Sequence, residues 1–282
     1  MLKKIVKKLI GIDAAPDVSS APKSGYEEGR LELPKIEMLS DDELDRLNSI
    51  LPWCAFLVDR KGRRFGNWYT DSKRSEPQAV PDHRIVELNK RIPLSDCHVM
   101  EIGCYEGIHT AALAQLAKQV TAVDGRIENV AKTLVRIGLM GLSADCYCWD
   151  VEQALPPALP QEWDVLHHMG VLYHLSSPIA HLQELLPRTR KAVLLDTHVA
   201  PEAGPFLSSL SDGFSYEYCD FKESSRENPF AGLTDHAQWV RVGDLQRLFA
   251  GLGFDRFEVA EQRDERNGPR VCVYAIRSDC PQ

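Results

Sequence analysis

The segment that most constrains this chain runs Val99-Met-Glu101-Ile-Gly103-Cys104-Tyr105-Glu106-Gly107. The apolar stretch from Cys97 to Ile102 reads as a buried strand. Gly103 lets the backbone turn sharply where that strand ends. Gly107 lets the next helix, an Ala/Leu-rich stretch to Gln119, start close to a ligand. A second strand, Gln119 to Asp124, then ends in a carboxylate. It stands about 20 residues past the first glycine, where an acid bonds ribose hydroxyls in nucleotide-binding units. Strand, glycine turn, helix, strand and acid in this order require a parallel pair with a crossover helix, and they place a nucleotide at the carboxyl edge of the strands.

The alternation continues. Glu128 to Leu142 has helical spacing, Ala144 to Asp150 reads as a third strand and Trp163 to Leu172 as a fourth. A helix over Pro178 to Pro187 and a fifth strand, Lys191 to Val199, follow. Phe254 to Gln262 and Arg270 to Arg277 are two strands joined by a polar Arg-Asn-Gly-Pro turn, hence a hairpin. The expected fold is α/β: a doubly wound, mostly parallel, seven-stranded Rossmann-like sheet closed by a C-terminal antiparallel hairpin. Residues 201–240, rich in aromatics and without the alternation, read as an irregular insertion over the cofactor edge. Tyr216, Tyr218, Phe230 and Trp239 are its candidates for stacking on an acceptor, although core packing is the commoner role of such rings.

Before the sheet, Ser40-Asp-Asp-Glu43 is the signature of a capped helix, read through Leu47. The division expected is an N-terminal basic helix and flexible arm over 1–45, then one domain over 46–282. The first twelve residues, MLKKIVKKLIGI, put Leu2, Ile5, Val6 and Leu9 on one helical face and four lysines elsewhere. A weak membrane-surface anchor and a terminal helix packed on a partner both fit. No run reaches the ~18 apolar residues of a membrane span, and the lysines interrupt any secretory leader. The eight cysteines lie in a chain large enough to need no staples and several fall in apolar strands, so the expected compartment is the reducing cytoplasm. A net charge of −8 disfavours a long nucleic acid as partner.

The bound nucleotide is expected to be cationic. A dinucleotide loop wants a bare Gly-x-Gly-x-x-Gly approach to pyrophosphate, whereas Cys104, Tyr105 and Glu106 stand between the glycines here. Glu101, two residues before Gly103, opposes a diphosphate and favours the ammonium and sulfonium of S-adenosylmethionine (SAM). In this respect the chain resembles the class I SAM-dependent methyltransferases. Its Glu-x-Gly-x-x-x-Gly segment is similar to their first motif, with Tyr105 where the commonest version has glycine. The resemblance implies that Asp124 holds the ribose and Asp150 the adenine amine. Gly103, Cys104, Tyr105, Gly107, Gly125, Val151 and Met169 would complete a cofactor site with Glu101.

A second segment, His167-His168-Met169-Gly170-Val171-Leu172-Tyr173-His174-Leu175 with Pro178 beyond, resembles a subgroup with a Gly-Val-Leu-Tyr-His signature. That subgroup includes the wobble-uridine tRNA carboxymethyltransferases. Those enzymes carry basic residues where Leu175-Ser-Ser stands here, so tRNA is the lesser reading. Lying after the fourth strand, His168, Tyr173 and His174 are expected beside the reacting methyl. His168 or His174 would act as general base and Tyr173 would shape the pocket, while alternation turns His167 away. His167, His168, His174 and His198 match no compact zinc spacing, and no metal is expected. The favoured function is O-methylation of a small molecule or saccharide. The alternatives are tRNA wobble-uridine methyl or carboxymethyl transfer, a non-catalytic SAM-fold subunit, and an NAD-dependent oxidoreductase disfavoured by Glu101.

Overall fold

A computed structural model describes residues 31–66, 76–224, 226 and 228–278. The N-terminal basic helix lies outside the described residues. The first helices are α1 (Pro34–Glu37) and α2 (Asp41–Ile50). Ser40 and Glu43 form a reciprocal capping box at the start of α2. Leu33, Ile36 and Leu44 pack with Ala111, Ile137 and Met140 in one apolar cluster. Residues 31–45, which the sequence assigns to a flexible arm, are therefore packed on the domain. Their short apolar pattern finds its partners far along the chain.

A two-stranded ribbon, β1 (Leu57–Val58) and β2 (Arg64–Phe65), leads to α3 (His83–Arg91), capped by the Asp82 carboxylate. The alternating body follows: β3 (His98–Ile102), α4 (Ile108–Leu116), β4 (Gln119–Asp124), α5 (Ile127–Met140), β5 (Asp145–Cys148), β6 (Trp163–Met169), α6 (Pro178–Leu185) and β7 (Thr189–His198). Three further strands are β8 (Leu207–Ser211), β9 (Phe214–Lys222) and β10 (His236–Val240). The chain closes with α7 (Val242–Gly251), β11 (Arg256–Glu265) and β12 (Gly268–Ile276).

The main sheet has seven strands in the order β11-β12-β7-β6-β3-β4-β5. The pairs β3–β4, β4–β5, β3–β6 and β6–β7 are parallel, and β12 runs antiparallel to both of its neighbours. The expected doubly wound sheet and its terminal hairpin are present. From β3 the chain winds outward to β4 and β5, then returns to the other side of β3 for β6. Loops leaving the carboxyl ends of β3 and β6 diverge, and a crevice opens at this reversal. Val99, Val165 and Leu194 face the helices α3 and α4 across one side of the sheet. Met100, Ile102, Leu166 and Leu195 face α6 and α7 across the other.

The insertion is not irregular. Strands β8, β9 and β10 form a three-stranded antiparallel sheet in the order β10-β9-β8. Phe214, Tyr216 and Tyr218 alternate along β9 and pack against the main core, a period of two that aromatic richness obscures in the bare sequence. Asp212-Gly213 makes the β8–β9 turn with both residues at positive φ (42° and 76°). An Asp-Gly pair is the strongest short hairpin signal, and it was legible. Among the described residues, no helix is long and apolar enough to cross a membrane.

Candidate active site

The crevice is a cleft of about 880 Å³, lined from the loops after β3, β4, β5 and β6, the β11–β12 turn and the segment Asn228–Leu233. At its cofactor half, the amides of Gly103 and Cys104 both donate to the Val123 carbonyl, at 2.8 and 2.9 Å, and clamp the loop after β3 onto β4. Gly103 lies at φ 77°, and a Cβ there would come within 2.2 Å of Val171. Only glycine admits that approach of the β3 and β6 loops. Tyr105 adopts φ 49° where the resemblance leads one to expect glycine. Its amide donates to Asp124 Oδ2 at 3.0 Å, which helps to hold the strained residue.

Asp124 is the hub of this half. Its other oxygen accepts from the Arg126 amide at 2.9 Å and the Asn129 side chain at 3.0 Å. Burial raises its carboxyl above the usual range, against these three hydrogen bonds. The bonds fix its direction and leave lone-pair capacity for a ligand. Gly125, Asp150, Val151 and Met169 also line the cleft. A Cβ on Gly125 would meet Leu233 at 2.5 Å. Cys104 reaches the cleft, but its thiol accepts a hydrogen bond from Thr133 at 3.4 Å. Gly107 does not line the cleft. It lies at φ 77° with the Thr133 Cα 3.0 Å from where a Cβ would be, so it serves the close packing of α4 on α5 rather than a ligand.

Glu106, given no role by the sequence reading, anchors the glycine loop. Its fully buried carboxylate accepts from the amides of Cys54 and Ala55 at 2.8 and 2.9 Å and from Lys132 at 3.0 Å, with Arg136 at 3.8 Å. One side chain ties the glycine loop, α5 and the N-terminal segment together.

The histidine signature divides otherwise than expected. His168 is fully buried, outside the cleft, and its Nε2 lies 2.9 Å from His181 Nε2 on the α6 side of the sheet. Burial pushes its pKa far down. The proposed role as a base fails on position: His168 pairs with Ile102 in register and shares that residue's core-facing side. His167 pairs with Glu101 and points toward it, not away. Its Nδ1 lies 3.9 Å from Glu101 Oε1. Glu101 lines the cleft and is 1% exposed, and among the described residues neither of its oxygens has a partner at full hydrogen-bond geometry, the Thr110 hydroxyl lying nearby. Burial raises its carboxyl to about 8, helped by repulsion from Asp124 and opposed by the Thr110 hydroxyl.

At the acceptor half, Tyr173 and His174 stand on a single 3-10 turn after β6, Leu172–His174. His174 Nδ1 lies 2.7 Å from Glu223 Oε1, and the other oxygen of Glu223 accepts from the Gly232 amide at 3.0 Å. The Glu223 side chain is 3% exposed, that of His174 18%. Tyr173 packs edge-on against His198 at 4.7 Å, and Trp239 stacks behind His198 at 4.8 Å. Trp239 is buried and Phe230 reaches the cleft, 6.0 Å from the Tyr105 ring. Of the four aromatic candidates in the insertion, Phe230 alone lines the cleft. Asp196, fully buried, binds the guanidiniums of Arg84 and Arg263, each at 2.7 Å, and that of Arg270. Burial pushes its carboxyl up, but the three cations outweigh that and hold it below the usual range. Arg84 and Arg270 line the cleft with Asp82, Glu265 and Asn267, so this wall is polar and of mixed charge.

A glycine loop at the reversal of a seven-stranded sheet, with Asp124 and Asp150 following β4 and β5 and Glu101 lining the same cleft, is the arrangement of a class I SAM-dependent methyltransferase. The chain belongs to the methyltransferase domain family, whose profile matches residues 59–259. It is 28% identical over 232 residues to the ubiquinone biosynthesis O-methyltransferase of Xylella fastidiosa (strain 9a5c), covering 77% of this chain and 88% of that one. To the protein of the same name from Xanthomonas euvesicatoria pv. vesicatoria (strain 85-10) it is 23% identical over 221 residues, covering 74% and 88%. Among solved structures, the N-terminal domain of EvdMO1, crystallised in the presence of SAH and D-fucose, superimposes with a TM-score of 0.69. Identity is 22%, with 85% of this chain and 98% of that chain covered.

Proposed function

We propose that this enzyme methylates a hydroxyl of a small, hydroxylated acceptor, a saccharide in preference to an apolar phenol, with His174 as the general base. The observation that carries this reading is the His174–Glu223 pair at 2.7 Å beside the cofactor half of the cleft. An acid at Nδ1 fixes the proton there and leaves Nε2 as the lone pair for the acceptor hydroxyl. Asp124 holds the ribose hydroxyls and Asp150 the adenine amine, while Glu101 takes the ammonium. Gly103, Cys104, Tyr105, Gly125, Val151 and Met169 shape the walls. When bound, SAM supplies a methyl group already activated by its sulfonium. The chain's own task is to position the acceptor oxygen and remove its proton.

Tyr173 and His198 form one wall for the acceptor, and Arg84, Arg270, Asn267 and Glu265 offer donors and acceptors that match a polyhydroxylated ring. The names of the curated relatives support oxygen as the methylated atom. The polar wall supports a saccharide over a quinone precursor. The test is methyl transfer from SAM to a panel of monosaccharides and catechols. The reading expects turnover on a sugar, and a loss of about 10²–10⁴ in kcat for His174→Ala at little cost in cofactor affinity. Wild-type turnover by His174→Ala, or transfer to catechols alone, contradicts it.

A further inference from the structure

Glu101, His109 and His167 each present one ligand atom, and the three atoms lie within 4.8 Å of one another. They come from three elements. Glu101 is on β3, His167 stands opposite it on β6, and His109 lies in the first turn of α4 with its ring edge-on to His167 at 5.2 Å and 81°. Glu101 and His109 line the cleft, and His167 backs them at 1% exposure. Among the described residues, neither oxygen of Glu101, with the Thr110 hydroxyl near it, and neither nitrogen of His167 has a partner at full hydrogen-bond geometry. A folded protein seldom leaves such a cluster unsatisfied without a ligand to complete it. Burial lowers the pKa of both imidazoles, which favours the neutral form and its lone pair.

We propose that Glu101, His109 and His167 form a three-acceptor receptor for a primary ammonium, and that the two histidines join the carboxylate in selecting the amino-acid end of the cofactor. The inference rests on the cofactor reading above. Three atoms no more than 4.8 Å apart can share a point within about 2.8 Å of each, the reach of a charge-assisted N–H hydrogen bond. A zinc-like ion wants nitrogen and oxygen at about 2.0–2.2 Å. The 3.9 Å between Glu101 Oε1 and His167 Nδ1 is too wide for the tetrahedral angle at that radius. An ammonium brings three N–H donors for three acceptors. A sulfonium or quaternary ammonium brings none, so the trio discriminates by donor count as well as by charge.

The experiment is calorimetric titration of the full-length protein with S-adenosylhomocysteine and with its analogue in which hydrogen replaces the amino group. The proteins compared are wild type, His109→Ala, His109→Gln and His167→Asn. Wild type is expected to prefer the amino compound by about 100-fold, and His109→Ala to reduce that preference at least about fivefold while binding the deaminated analogue as wild type does. His109→Gln, which keeps an acceptor, restores the preference. An undiminished preference in both His109→Ala and His167→Asn overturns the proposal, as does an equal loss for both ligands. So does one equivalent of Zn²⁺ or Mn²⁺ that competes with S-adenosylhomocysteine and is lost in the variants, which makes the trio a metal site. Binding of the deaminated analogue alone leaves the cofactor reading intact while sinking this one. Binding of neither compound by wild type sinks both.

Discussion

Glu101 carries its proton in the free protein below about 8, because burial disfavours the carboxylate. A bound ammonium reverses that preference. Cofactor binding therefore releases a proton below this value, and affinity rises with pH. Titration with S-adenosylhomocysteine between pH 6 and 8 should show up to about tenfold tighter binding per pH unit, levelling above 8, and Glu101→Gln should flatten the slope. An unchanged slope in Glu101→Gln would show that the linked proton is elsewhere. The same shift bears on stability: a carboxyl raised from 4.5 to about 8 favours the fold at low pH, and that contribution is lost as pH rises through 8. In the proposed mechanism His174 depends on Glu223 for its tautomer. Glu223→Gln keeps the shape and removes the charge, so kcat should fall by about 10-fold or more while affinity for S-adenosylhomocysteine holds, as steady-state kinetics and calorimetry would show.

The main sheet was legible because each strand is a short apolar run and each crossover a helical pattern, and the first motif marks the reversal where the cleft opens. Face assignment was not. Two adjacent histidines on β6 alternate, and only the register against Glu101 and Ile102 says which one turns to the cleft side. Glu223 was illegible for another reason: it lies 49 residues from His174, past two strands of the insertion, and nothing local marks it. Glu106 sits inside the recognised motif, yet its partners Cys54, Ala55 and Lys132 come from elements the motif does not describe. Its role is structural. Glu106→Ala leaves Lys132 and Arg136 buried without their counter-charge and should cost about 3–5 kcal/mol in urea unfolding. A loss under about 1 kcal/mol would show that the amides and cations find other partners.

Across the molecule, one cleft has two ends held by different parts of the chain. Asp124, Asp150 and the glycine loop belong to the parallel half of the sheet. His174 and Tyr173 follow β6, while Glu223 and Gly232 belong to the insertion between β7 and α7. Asn228–Leu233 spans the two ends: Arg126 donates to the carbonyls of Asn228 and Gly232 at 3.1 and 3.3 Å, and the Gly232 amide supports Glu223. The separation of duties is the central claim, and calorimetric titration of wild type, Asp124→Ala and His174→Ala with S-adenosylhomocysteine tests it most directly. Micromolar binding by wild type, lost in Asp124→Ala and retained within about twofold in His174→Ala, is the predicted result. Undiminished binding by Asp124→Ala, or loss of binding in His174→Ala, would contradict it.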